Sequence, residues 1–63
     1  MSEDSDLIEY IQQMIALDKD GELTNQEIDD VGRAQQRLTK IYKDNGINAP
    51  NLWTKYLGEK YGE

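Results

Sequence analysis

Asp18, Asp20, Glu22 and Glu27, interrupted by Gly21, are the residues in this chain whose types and spacing bear most directly on chemistry. Carboxylates alternating around a glycine turn can surround a hard cation with oxygen ligands, which suits calcium or magnesium. Paired carboxylates can also do acid and base work, but only where a pocket keeps one carboxyl in apolar surroundings. A chain of 63 residues has little room for such a pocket. It also contains no Cys and no His, so thiolate and imidazole metal sites, disulfides, the most readily activated nucleophile and the usual proton shuttle are all missing. A protein without enzymatic activity and without a cofactor is the expectation.

The segment Asp18-Lys19-Asp20-Gly21-Glu22-Leu23-Thr24-Asn25-Gln26-Glu27 resembles part of an EF-hand calcium loop. With Gly21 at the sharp turn, the resemblance puts Asp18 and Asp20 at the third and fifth loop positions, Leu23 at the apolar eighth and Glu27 at the bidentate twelfth. Weak calcium or magnesium binding by Asp18, Asp20 and Glu22 or Glu27 is what it implies. The first loop position, however, falls on Ala16, whose methyl group cannot coordinate, and the chain has no second loop of this kind. The same residues have a purely structural use. A glycine that ends one helix, followed by Thr24 and Glu27 as a T-x-x-E capping box, needs this order for helix geometry alone.

Charge is distributed unevenly around this segment. Ten of the thirteen acids lie in the first thirty residues against one base, Lys19, whereas the remaining thirty-three residues hold six bases and three acids. The formal net charge of −6 is therefore concentrated toward the N-terminus. Such a surface repels nucleic-acid phosphates and favours a basic protein partner, although acidity also serves solubility. No apolar run approaches the ~18 residues of a membrane span. The acidic start Met-Ser-Glu-Asp-Ser-Asp is unlike a signal peptide, so a cytoplasmic protein, complete at this length, is expected.

These side chains must be positioned by helices, because no segment alternates with the period of a strand. Leu7, Ile8, Tyr10, Ile11, Met14, Ile15 and Leu17 recur at helical spacing and predict a first helix over about 6–17, with Ser5 as N-cap. Their wide apolar face implies two neighbours, either both other helices or one of them and a second copy of the chain. Thr24 to Glu27, with Leu23 and Ile28 placed as a hydrophobic staple, starts a second helix over about 25–44 that ends at Asn45-Gly46. A third, over about 50–58, would begin near Asn48 and Pro50 and carry Leu52, Trp53, Tyr56 and Leu57 inward to Gly58. Tyr61 lies beyond it, as one further turn or a loose end. The sum is an all-α, single-domain three-helix bundle with residues 1–4 disordered, and a homodimer as an alternative way of completing the core. At this size only roughly 60% of the unfolded surface is buried, so good packing or self-association has to make up for a thin core.

Several remaining residues bear on partners. Arg33, Arg37 and Lys40 form a basic row on the outer face of the second helix, with Asp29 and Asp44 placed for local ion pairs. Gly32 implies a close approach in mid-helix, since glycine there is unfavourable by about 1 kcal/mol relative to Ala. After Asp6 and Glu9 are assigned to a helix start, Glu27 to a cap and Asp29 to Arg33, the acids left for a partner are Glu3, Asp4, Asp18, Asp20, Glu22 and Asp30. The expected function is a small acidic binding protein, an inhibitor or adaptor, whose sharpest form imitates the phosphates of DNA and blocks a nucleic-acid-binding protein.

Overall fold

The C-terminus of the first helix and both ends of the second are set by local chemistry, and each helix packs against the other two. The computed structural model describes residues 3–62, with α1 at Glu3–Lys19, α2 at Asn25–Asp44 and α3 at Leu52–Tyr61. This is the expected all-α three-helix bundle.

Helix α1 starts earlier than its sequence signals suggest. Ser5 lies inside the helix, and Glu3 and Asp4, expected to be disordered, form its first turn with Asp6, where carboxylates face the positive end of the helix dipole. Met1 and Ser2 fall outside the described residues. The other end is closed by Gly21, whose φ of +74° lets its own N–H reach the Asp18 carbonyl while the N–H of Glu22 reaches that of Leu17. That pair of bonds is a Schellman motif. Gly46, at φ +77°, closes α2 in the same way through the Lys43 carbonyl, with Ile47 donating to that of Tyr42.

The capping box of α2 forms as expected: Thr24 Oγ1 accepts from the Glu27 N–H at 3.2 Å, and Glu27 Oε1 accepts from the Thr24 N–H at 2.9 Å. Leu23 and Ile28 on either side are both partly buried against the core. The apolar stripe continues through Val31, Ala34 and Leu38, which meet Ile11 of α1 and Trp53 and Tyr56 of α3 in the buried centre. Val31 and Leu38 are fully buried, and each such side chain contributes on the order of 2 kcal/mol relative to exposure. Leu7, Ile8, Tyr10, Met14 and Ile15 pack around this centre, so the wide apolar face of α1 is shared between its two neighbours in the chain.

Helix α3 also departs from expectation. Asn48 and Pro50 precede it rather than starting it, its N-cap residue is Asn51, and Gly58 sits inside it, the helix running on to Tyr61. Gly32 faces Trp53, but a Cβ built there would lie 4.0 Å from Trp53 Nε1, an ordinary contact, so the crossing is not tight enough to demand glycine.

Candidate functional site

The six carboxylates left over by local bookkeeping do not form one patch, because long-range contacts engage half of them. Arg37 on α2 grips Glu3 on α1 with two parallel bonds, Nε to Oε2 at 2.8 Å and Nη2 to Oε1 at 3.0 Å. The guanidinium hydrogen bond holds the Glu3 carboxyl below its ordinary range, and the same bond raises Arg37. Next to it, Asp4 Oδ2 accepts from the Tyr42 hydroxyl at 3.2 Å; burial, then this bond to a carboxylate, raises the phenol. Asp18 joins the far end of α1 to α3. Its Oδ2 accepts from Tyr56 Oη at 2.5 Å and Lys60 Nζ at 2.7 Å, and its carboxyl is lowered first by Lys60 and then by Tyr56. The reciprocal bond raises both partners.

The others behave differently. Asp30 accepts only a neighbouring amide, Gln26 Nε2, at 3.1 Å, whereas Asp20 and Glu22 are exposed and make no side-chain hydrogen bond or ion pair among the described residues. They extend a surface that sequence arithmetic had assigned elsewhere. On the outer side of α1, Asp6, Glu9, Gln12, Gln13 and Ala16 are exposed with no base before Lys19. Asp6, Glu9, Asp20 and Glu22 are thus exposed carboxylates without an ion pair among the described residues.

The basic row on α2 is locally neutralised. Arg33 pairs with Asp29 at 2.9 Å and Lys40 with Asp44 at 3.4 Å, both one helical turn apart as expected, and Arg37 is taken by Glu3. All of these side chains are more than half exposed, so each pair adds little stability, but together they remove positive potential from that face.

The cation-binding alternative of Asp18, Asp20 and Glu27 is not assembled. Among the described residues no group of three metal-capable side chains comes together. Gly21 serves a helix terminus, Glu27 serves the capping box, and Asp18 faces α3.

Among the described residues, two of the surface concavities bear on these side chains. One, of about 450 Å³, lies between the end of α1 and α3 and is lined by Asp18, Lys19, Gly21, Tyr56, Glu59 and Lys60. The ammonium groups of Lys19 and Lys60 stand 5.9 and 6.0 Å from the centroid of the Tyr56 ring, within reach of its negative face. The other, of about 180 Å³, is lined by Asp4, Ile41, Tyr42, Asn45 and Ile47. The pairing of Tyr56 and Lys60 with Asp18 escaped sequence reasoning because the partners lie about forty residues apart. The spacing of Tyr56 and Lys60, four apart on one helix, was the available signal that they share a face. Such an arrangement can recognise charge: carboxylates with few internal partners on α1, and a shielded carboxylate beside an aromatic ring at its end. Comparison of the chain with family models, characterised proteins and solved structures finds no match.

Proposed function

We propose that this chain is a small acidic, non-enzymatic protein-binding factor, an inhibitor or adaptor that meets a basic surface of another protein. The observation that carries it is the outer face of α1 and the turn after it, where Asp6, Glu9, Asp20 and Glu22 are exposed without an ion pair among the described residues. Carried on one helix and the turn that follows it, these charges can steer a basic partner. A nucleic-acid-binding protein is the sharpest candidate partner, with carboxylates standing where it would meet phosphates; direct contact with nucleic acid is disfavoured by the same charge. No helix of the described residues is long and apolar enough to cross a membrane. We place the protein's action in the cytoplasm, with no membrane partner.

Affinity capture from the native host, with the whole chain as bait, tests this. The wild type is compared with a bait carrying Asp6→Asn, Glu9→Gln, Asp20→Asn and Glu22→Gln, at about 0.05 M and about 0.5 M salt. A partner held only by the wild type and released by salt is the expected result. Equal capture by both baits, or capture indifferent to salt, would sink the proposal. A homodimer is the second reading, supported by the exposure of Ile47 (58%) beside the smaller groove. It would form at that end of the bundle rather than on the apolar face of α1, and a monomer in sedimentation at tens of micromolar would remove it.

A further inference from the structure

Lys60 is seated in an arrangement that another basic side chain could occupy. Its Nζ lies 2.7 Å from Asp18 Oδ2 and 6.0 Å from the centroid of the Tyr56 ring, and the Tyr56 hydroxyl donates to that same oxygen. The Asp18 side chain is only 9% exposed, whereas that of Lys60 is 36% exposed. One half of the contact is therefore built into the bundle, and the other reaches it from the surface. Trp53 packs against the Tyr56 ring with centroids 5.6 Å apart, which fixes the ring from within the core.

The two halves are also anchored unequally. Asp18 stands in the last turn of α1, just before the Gly21 motif that locks that terminus, and Tyr56 belongs to the buried centre. Lys60 stands in the last turn of the ten-residue α3, and helix ends open at the least free energy of any part of a fold. Exchanging its ammonium for one from outside would leave the carboxylate and ring in place. The charge of the cleft would stay the same, one cation replacing another while Lys19 and Glu59 remain at its rim.

We propose that Asp18 and Tyr56 form a receptor for a lysine or arginine side chain of a partner protein, and that Lys60 is an internal occupant competing for it. A shielded carboxylate backed by an aromatic ring favours a cation through both Coulomb attraction and the ring quadrupole. The inference rests on the basic partner argued above and names the place where one of its side chains would dock.

The test is a titration of the intact chain with short oligolysine and oligoarginine peptides, read by the fluorescence of Trp53 beside Tyr56. Lys60→Ala vacates the receptor, while Lys55→Ala removes the same charge from an exposed position on the same helix. Lys60→Ala is expected to bind the basic peptides about threefold tighter than Lys55→Ala, a difference in the range of one partly exposed ion pair. Adding Asp18→Asn, or Asp18→Ser should the former fail to fold, removes the carboxylate and is expected to erase that difference. Equal affinity of Lys60→Ala and Lys55→Ala overturns the receptor, as does a Lys60→Ala cleft that takes up inorganic phosphate in place of the basic peptides. If removing the charges of Asp6, Glu9, Asp20 and Glu22 leaves peptide affinity unchanged, the acidic face fails while the Lys60 comparison still stands.

Discussion

Gln35, buried in the middle of α2, caps the start of α3: its Oε1 accepts the backbone N–H of Trp53 at 2.9 Å. The Nε2 of the same amide donates to the Pro50 carbonyl at 3.1 Å and reaches Thr39 Oγ1 at 3.4 Å. Asn51, the N-cap residue, makes no side-chain cap bond, so a residue on another helix supplies what an N-cap normally supplies locally. One polar side chain, 5% exposed, thereby satisfies both a donor and an acceptor of the connecting segment and sets where α3 begins.

Gln35→Leu keeps approximate volume but leaves the Trp53 N–H and the Pro50 carbonyl without their partner. A loss of about 2–3 kcal/mol is expected, because stranding buried polar groups costs more than the net value of one hydrogen bond. In a domain this small that is a large share of total stability. Urea unfolding of the two proteins gives the comparison, and an unchanged midpoint would show that water replaces the cap without penalty.

Gly32→Ala is expected to stabilise the protein by about 1 kcal/mol, the usual advantage of alanine inside a helix. The added methyl meets Trp53 Nε1 at an ordinary 4.0 Å, and the position is helical without strain. The midpoint of thermal unfolding should then rise by roughly 4–8 °C. A fall instead would mean that Trp53 uses the space for motion or for a second rotamer.

Local signals in the sequence were sufficient wherever local bonds decide the structure. Thr24, Glu27 and Gly46 placed both ends of α2, and the apolar spacing of α1 placed its buried face. They failed wherever a distant residue decides. Ser5 has the chemistry of an N-cap, yet Arg37 and Tyr42 hold Glu3 and Asp4 in the helix before it. Pro50 has the chemistry of a first turn, yet Gln35 moves that turn two residues on. Gly58 looks like a stop, yet Lys60, tied to Asp18, keeps the next turn helical. The candidate site suffered in the same way. Counting local duties for each acid freed Glu3, Asp4 and Asp18, which the fold engages, and spoke for Asp6 and Glu9, which it leaves exposed.

Stability should decline on both sides of neutrality through the Asp18 cluster, with the separate Glu3–Arg37 pair adding to the acid side. Asp18 is held below the carboxylate range by Lys60 and then Tyr56, and Glu3 by Arg37. A carboxylate with a depressed folded value stabilises the native state above its unfolded value and loses that contribution as pH falls through the folded one. The decline should therefore start below about pH 4. Tyr56 and Lys60 are raised by Asp18, so their contribution is complete below their unfolded values and is lost as pH rises beyond about 10. Denaturant midpoints measured across this range should vary less with pH for Asp18→Asn than for the wild type at both extremes. An Asp18→Asn profile parallel to the wild type would detach the cluster from the pH response.

The capping box and a calcium site make incompatible demands on Glu27. As box residue it points Oε1 back at the Thr24 N–H, 2.9 Å away, with Thr24 Oγ1 at 3.2 Å from the same oxygen. As twelfth ligand of a loop it would turn both oxygens toward a cation, leaving the first turn of α2 without its cap. Thr24→Ala is therefore expected to lower stability by about 1 kcal/mol, equally in chelator and in millimolar calcium. Glu27→Gln, which keeps an acceptor oxygen, should be milder, and the two changes together should be less than additive because they break one reciprocal unit. Thermal unfolding of the wild type should not move with calcium, since a cation bound to the native state must raise the midpoint by mass action. A calcium-dependent rise that disappears in Glu27→Gln would instead mean that the box opens to admit the ion, and that the turn between α1 and α2 has a second conformation.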